Sequence, residues 1–289
     1  MNLTIVKPSV QIWEQKDYHE HIAKCARVCY KSDKGDNKVL VRNLINNNHL
    51  SMFRHYSRYW IIPSNEFKDI HIFSSEYCDL EYHDGYFYVV TNEHYYIEHN
   101  DVLVGLNRYL VDEDYFINHS FKGKEMRRIT IKCVTQISTS RELNRVSPNN
   151  IAEQSTRYVN FNKKGGSICC PWWLLDQMDK DTIELTEQEV NDILSLENDP
   201  TEVYIKSCYN SFNNYNTLVD KQLLTPQDAR GVLPLDTTTE VVYTYSIKEW
   251  KAILDLRYYG TTGKPHPNAK IIAGMIRDKL FELGHEFRD

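Results

Sequence analysis

The chain has 289 residues, a formal charge of −6 at pH 7 and a pI near 6.0. That length buries a sizeable core as one large domain or two modest ones, and the acidic balance disfavours a general nucleic-acid binder, which tracks phosphates with a basic excess. No window approaches the roughly 18 uninterrupted apolar residues of a membrane span and the N-terminus lacks a signal-peptide apolar run, while seven irregularly spaced cysteines argue against a disulfide framework and suit a reducing cytoplasm.

In chain order, "LTIVKP" reads as an opening strand. "QKDYHEHIAKCARVCYKS" carries Ile22, Cys25, Ala26 and Cys29 at helical spacing. Cys25 and Cys29 then share a buried helix face rather than forming half a metal site, and no metal is expected. A second helix, "DNKVLVRNLINNN", runs into "HLSMFRH". From about 56 to 126 the chain reads as strands and turns around one helix. "YSRYWIIP" is strand-like, "LEYHDGYFYVV" holds an Asp-Gly hairpin signal, and "DVLVGLNRYLVDED" reads as the helix.

"MRRITIKCVTQI" alternates Ile129, Ile131 and Cys133, as a half-buried strand does. It delivers the chain to "STSRELNRVSPNNIAEQSTRYVNF". "DPTEVYIKSCYNSFNNYNTLVDKQ" is a long helix with Pro near its start. "TPQDARGVLP" is a compact helix with Thr225 as N-cap, Pro226 at its first position and Gly231 at its exit. "TTEVVYTY" is a strand. "SIKEWKAILDLRYY" is a helix with a capping box of Ser246 and Glu249, and "NAKIIAGMIRDKLFELG" closes the chain at Gly284. Strands alternate with helices without a regular βαβ rhythm and without GxGxxG. The reading is α+β, one domain over 1–289 with an internal insertion at about 56–126.

The densest chemistry lies in the 138–161 stretch. Arg141 and Arg145 share a face if the segment is helical, and Ser155 and Arg157 share a side if "EQSTRY" is extended. Guanidiniums, a hydroxyl and backbone N–H groups make a phosphate cradle, because Arg matches phosphate bidentately. Glu142 and Glu153 can hold those arginines apart and accept from ligand N–H or hydroxyl groups. On residue type alone, the same charges also read as salt bridges on a solvated helix and loop.

The order of residues in "RVSPNNIAEQSTRY" resembles the signature of the flavin-dependent thymidylate synthase family (thymidylate synthase complementing protein). Arg145, Glu153, Ser155, Arg157 and Tyr158 are kept. The His and second Arg of the family's Arg-His-Arg triplet fall on Val146 and Ser147, and later signature positions fall on Asn150 and Ala152. "HLSMFRH" is similar to an upstream family block, with His49, Ser51 and His55 kept and Arg54 where Glu is usual. "ARGVLPL" places Arg230 at the family's nucleotide-binding Arg. "SIKEWKAILDLR" resembles the flavin-contacting helix and its terminal catalytic Arg, here Arg257, with His266 following after a loop.

That resemblance implies mixed helices packed on an antiparallel-rich sheet. It implies FAD-dependent reductive methylation of dUMP to dTMP, with methylenetetrahydrofolate as carbon donor, NADPH as reductant and no protein Cys nucleophile. By carry-over, Glu142, Arg145, Glu153, Gln154, Ser155, Thr156, Arg157, Arg230 and Arg257 would hold dUMP. His49, Ser51, Arg145, Val146, Ser147, Pro148, Glu153, Ser246, Lys248 and His266 would contact FAD. Arg257 would be catalytic, stabilising negative charge that develops on the uracil ring; without the resemblance it reads as a helix-end cation on C-terminal carbonyls. A homotetramer with shared active sites is implied, with neither nucleic acid nor membrane as partner. Two other readings stay open: a related flavin-dependent pyrimidine-nucleotide modification, and a non-catalytic nucleotide-binding homologue.

Overall fold

The computed structural model describes residues 1–30, 34–146, 150–161, 165–193 and 199–287. The site residues Ser147 and Pro148 lie outside the described residues. Among the described residues, no helix is long and apolar enough to cross a membrane.

The strands form three sheets. In the first, β1 (Leu3–Val6) runs parallel to β9 (Gly166–Cys169) and antiparallel to β10 (Thr182–Leu185), which leads to α6 (Glu187–Ile193). Leu3 and Ile5 point to one face by the two-residue alternation of a strand. They pack with Ile205, Tyr209 and Phe212 of the long helix α7 (Pro200–Asp220). A Cβ on Gly166 would stand 2.7 Å from the Phe212 ring, so the strand can approach that helix only with glycine here.

The second sheet positions the candidate site. Its order is β2 (Ser9–Trp13), β7 (Arg128–Gln136), β11 (Thr238–Ser246) and β8 (Ile151–Glu153), antiparallel throughout. Ile129, Ile131 and Cys133 do share a buried face. They meet Trp250 and Ile253 of α8 (Ile247–Leu254) and Ile272, Ile276 and Leu280 of α9 (Pro267–Glu282). Truncating a fully buried aromatic such as Trp250 would cost about 3–5 kcal/mol. On the other face, Cys25 and Val28 of α1 (Tyr18–Tyr30) cover Ala152 and Val242. The expected capping box opens α8: Ser246 accepts from the Glu249 N–H, and Glu249 accepts from the Ser246 N–H at 2.7 Å. The second expected helix is α2 (Asn37–Asn46), capped by Asp36.

Residues 57–126 build the third sheet, with the antiparallel order β4 (Cys78–His83), β5 (Tyr86–Asn92), β3 (Ser57–Pro63) and β6 (Leu110–Val111). Asp84 and Gly85 both take positive φ, 47° and 82°, at the tip of the β4–β5 hairpin. That matches the twist-compatible turn which the Asp-Gly pair encodes. Helices α3 (Glu93–Glu98) and α4 (Glu113–His119) flank the sheet, and Trp60, Ile62, Phe73, Val89 and Leu103 form a core of their own.

The helix expected over "DVLVGLNRYLVDED" is broken. A helical turn at Asn100–Leu103 passes into a 3-10 turn at Val104–Tyr109, and Leu110 then pairs with Trp60. Leu103 and Leu106 are buried while Gly105 weakens the helix interior, so sheet pairing wins over helical continuation.

Candidate functional site

Glu153 ends β8 and faces α5 (Ile137–Asn144), the helix into which β7 runs. Ser140 and Asn144, four residues apart, occupy one face of α5. The Ser140 hydroxyl donates to Glu153 Oε1 at 2.6 Å, Asn144 Nδ2 donates to Oε2 at 3.2 Å, and Thr239 of β11 donates to Oε1 at 3.1 Å. Behind them, the buried Tyr243 hydroxyl donates to Asn144 Oδ1 at 2.8 Å. Burial pushes the Tyr243 phenol well above its ordinary pKa, so it remains a donor. The carboxylate is therefore held by neutral donors rather than by the arginines around it.

Arg257 reaches the same helix from the other side. After Leu254 the chain widens into a π turn, Asp255–Tyr259, closed by Gly260 at φ 70°. Such single turns occur often at functional sites. Arg257 Nε donates to the Glu142 carbonyl at 2.8 Å, and its Nη2 stands 3.8 Å from the Glu142 carboxylate. The guanidinium thus satisfies a carbonyl in the last turn of α5. Arg145, the C-cap of α5, is exposed, whereas Val146 packs against the core of the second sheet.

The loop after Glu153 is a turn at 156–158 rather than an extended segment. Gln154 donates its backbone N–H to Glu240 O at 2.8 Å, and Ser155 donates its own to Cys29 O at 2.9 Å. The Ser155 hydroxyl accepts from the Arg157 N–H at 3.2 Å. Local side-chain bonding of this kind competes with extension, so Ser155 and Arg157 do not line up on one strand side.

Arg157 and Arg230 are exposed neighbours on two facing turns. The second is the helical turn Pro226–Ala229 with its 3-10 continuation Arg230–Val232. The Thr225 hydroxyl bonds to Asp228 rather than capping the backbone. Arg230 Nη1 donates to Thr156 Oγ1 at 3.0 Å, and Arg157 Nη2 donates to Gln227 Oε1 at 3.3 Å. Both tethers are neutral, and among the described residues neither guanidinium is in an ion pair. Two guanidiniums without carboxylate partners suit a bound anion. The Gln154 side-chain oxygen is buried without a hydrogen-bond partner among the described residues. Leaving such a group unpaired costs about 1–3 kcal/mol.

The positions carried over to FAD fall into separate places. Glu153 pairs with Val241 within β11, and Arg145 follows Asn144, which meets Tyr243 of the same strand. Ser246 ends that strand, five residues on from Val241 or about 17 Å along it, and Lys248 lies in the first turn of α8. Ser246 is fully buried and committed to the capping box, while Lys248 is exposed. His49 and Ser51 are exposed, but His55 of the same block is buried, with Nδ1 2.9 Å from Thr244 Oγ1. His266 caps α9, its Nδ1 accepting from the Asn268 N–H at 3.3 Å. Lys248, His49, Ser51 and His266 offer polar groups that suit a flavin; Val146 and Ser246 do not.

Sequence reasoning missed Ser140, Asn144, Thr239, Tyr243 and Gln227. The four-residue spacing of Ser140 and Asn144 was a signal for the first two. Nothing local marked Thr239, Tyr243 or Gln227. Among the described residues, no group of three or more His, Cys, Asp or Glu side chains is placed to hold a metal.

The family described as thymidylate synthase complementing protein matches residues 106–280. No curated protein matches the sequence. Among solved structures, the chain is similar to the UMP/dUMP methylase PolB from Streptomyces cacaoi bound with 5-Br dUMP, at 16% identity and a TM-score of 0.43, over 96% of this chain and 92% of that one. It is similar also to PolB bound with 5-Br UMP, at 16% identity and a TM-score of 0.44, over 96% of this chain and 91% of that one.

Proposed function

This chain belongs to the thymidylate synthase complementing protein family, and we propose that it methylates carbon 5 of a pyrimidine nucleoside monophosphate, converting dUMP to dTMP. Methylenetetrahydrofolate would give the carbon and NADPH the reducing equivalents. The observation that carries this reading is the pair Arg157 and Arg230, tethered by neutral oxygens on the turn that follows Glu153 and on the helical turn facing it.

The two exposed guanidiniums would take the phosphate. Glu153, whose carboxylate already accepts from Ser140, Asn144 and Thr239, would take a hydroxyl or N–H of the nucleoside. Arg257 would stabilise the negative charge that collects on the uracil carbonyl as the ring is activated, an effect whose removal typically costs about 2.7–4 kcal/mol. A protein thiol is a poor substitute as the reactive group. Burial pushes the Cys170 thiol up to about 11 and the Cys133 thiol up to about 12, so both stay protonated at neutral pH.

We extend the proposal to FAD, which when bound would supply the hydride. The separation of Glu153 from Ser246 along β11 would suit a flavin site completed by a second copy of the chain, in keeping with a homotetramer. The burial of Val146 and Ser246 favours a second reading, a nucleotide-binding protein without flavin.

Anaerobic turnover of dUMP with methylenetetrahydrofolate and NADPH, on protein whose flavin spectrum has been recorded, decides between them. dTMP formation that collapses in Arg257→Ala supports the first reading. Colourless protein that binds dUMP without turnover supports the second.

A further inference from the structure

Outside the arginine cradle, a cavity of about 500 Å3 opens between the loop after β9, helix α7 and the turn before β11. That volume is typical of a small-molecule site. Ser138, Trp172, Trp173, Tyr204, Asp236 and His266 are among its walls. Among the described residues no lysine or arginine lines it, and Asp236 is its one fixed charge. His266 adds none, because its Nδ1 accepts from the Asn268 N–H and so carries no proton.

The carboxylate is built in rather than draped on the surface. Asp236 O accepts from the Cys169 N–H at 2.9 Å, and Leu235 O accepts from the Ser138 N–H at 3.1 Å, which fixes the turn. Tyr204 donates its hydroxyl to Asp236 Oδ2 at 2.8 Å, and the Ser138 hydroxyl donates to Oδ1 at 3.4 Å. Burial pushes the Tyr204 phenol far above its ordinary pKa, so it stays a donor. Both partners are neutral, and an ionised carboxylate has about four acceptor positions, so its charge and part of its acceptor capacity are unspent.

The walls around that charge are aromatic. Trp172 is 49% exposed and Trp173 37% exposed. The Trp173 and Tyr204 rings stand at 77° with centroids 5.2 Å apart, forming a corner. Trp172 is anchored by its backbone, whose N–H donates to Asn268 Oδ1 at 2.8 Å. An indole face attracts a cation within about 6 Å of its centroid, more strongly than any other side-chain ring.

We propose that this cavity binds a small organic cation with an alkylated ammonium head. The head sits against the indole faces of Trp172 and Trp173, with the Asp236 carboxylate as its counter-charge. An anion would be repelled by Asp236, and an uncharged ligand would leave that charge unanswered. A hard metal ion takes several oxygen ligands where this cavity offers one carboxylate. An alkylated ammonium suits both features at once, because its methyl groups pack on the rings while its charge meets the carboxylate. Ser207 and Ser211, four residues apart on α7, line the remaining space. The Ser207 hydroxyl donates to the Val203 carbonyl at 2.8 Å and so offers its lone pairs to a hydroxyl on the ligand's body. Binding here requires neither nucleotide nor flavin.

The probe is choline, titrated into the full chain by calorimetry and indole fluorescence beside 3,3-dimethylbutanol, which has the same shape and no charge. Wild type binds choline at least about tenfold more tightly than the neutral isostere. Asp236→Asn weakens choline by about tenfold or more and leaves the isostere unchanged. Trp172→Leu and Trp173→Leu keep apolar bulk but lose the π face. Each weakens choline by about two- to fivefold with little effect on the isostere. Trp172→Leu changes an exposed side chain, so it carries the test if the Asp236 variant melts early in a thermal scan. Wild type that fails to bind choline, or that binds the isostere equally well, overturns the proposal. Folded variants that all bind choline as wild type does overturn it too.

Discussion

Arg257 donates from Nε to the carbonyl of Glu142 at 2.8 Å, across 115 residues of sequence. The bond ties the π turn after α8 to the last turn of α5, so the guanidinium is a helix-end partner in the structure and the cation proposed to act on the uracil ring. These roles separate by substitution. Arg257→Ala should lose about 0.5–1.5 kcal/mol of stability but about a hundredfold or more in turnover. Arg257→Lys should keep most of the stability and little of the turnover, because an ammonium cannot reproduce the planar fork. A melting curve and a rate for each variant check this; equal losses of rate and stability would leave Arg257 a structural residue.

Gly260 closes that turn at φ 70°, and a Cβ there would stand 2.9 Å from Gly263 O and from Pro265 Cδ. Gly260→Ala should cost about 1–2 kcal/mol from the left-handed conformation alone, with more from the contacts. Turnover should fall with it as Arg257 shifts. A variant as stable as wild type would show that the turn relaxes freely.

Glu153 accepts from Ser140, Asn144 and Thr239. Glu153→Gln sets an amide N–H against a donor and should cost about 1–3 kcal/mol, measured by urea unfolding. Glu153→Asp shortens the side chain and should break the Ser140 contact first. An isostable Glu153→Gln would mean that the donors reorient without cost.

For the phosphate cradle, Arg157→Ala and Arg230→Ala should each weaken dUMP by about tenfold to a hundredfold, the value of a charge-assisted hydrogen bond. Binding of uridine, which lacks the phosphate, should be unaffected. Calorimetry at two salt concentrations tests this, since the wild-type affinity should fall with salt. Equal effects on dUMP and uridine would move the phosphate elsewhere.

Burial holds His55 down to about 3 and His21 down to about 4, against an ordinary 6.5. Because folding depresses both, their contribution is fully present above pH 6.5 and is lost as pH falls from there toward pH 4 and below. Each can contribute up to about 1.4 kcal/mol per pH unit in that window. Burial raises Glu93, Glu113 and Glu249, which act in the opposite sense. The clean measurement is therefore the difference between wild type and His55→Asn. Asn can keep the Thr244 bond, and the wild-type advantage should shrink steadily on acidification. A gap that stays constant between pH 7 and pH 4 would contradict a neutral, buried His55.

The sequence by itself determined the elements whose signals are local. Alternating Ile129, Ile131 and Cys133 marked β7, Asp84-Gly85 marked the hairpin, and Ser246 with Glu249 marked the start of α8. It also held the order of polar blocks that ties Arg145, Glu153, Arg230 and Arg257 to one family. Periodicity and capping act over a few residues, so they can be read from a string. Tertiary structure alone decided the rest. Leu110 left its helical pattern because Trp60, fifty residues earlier, offered a strand to pair with. Ser246 was spent on a buried cap. Glu153 was claimed by hydroxyls and an amide from α5 and β11 rather than by arginine. A hydrogen bond is won by whichever partner the packed chain brings within about 3 Å, and that depends on which sheets and helices meet, a property no stretch of sequence carries alone.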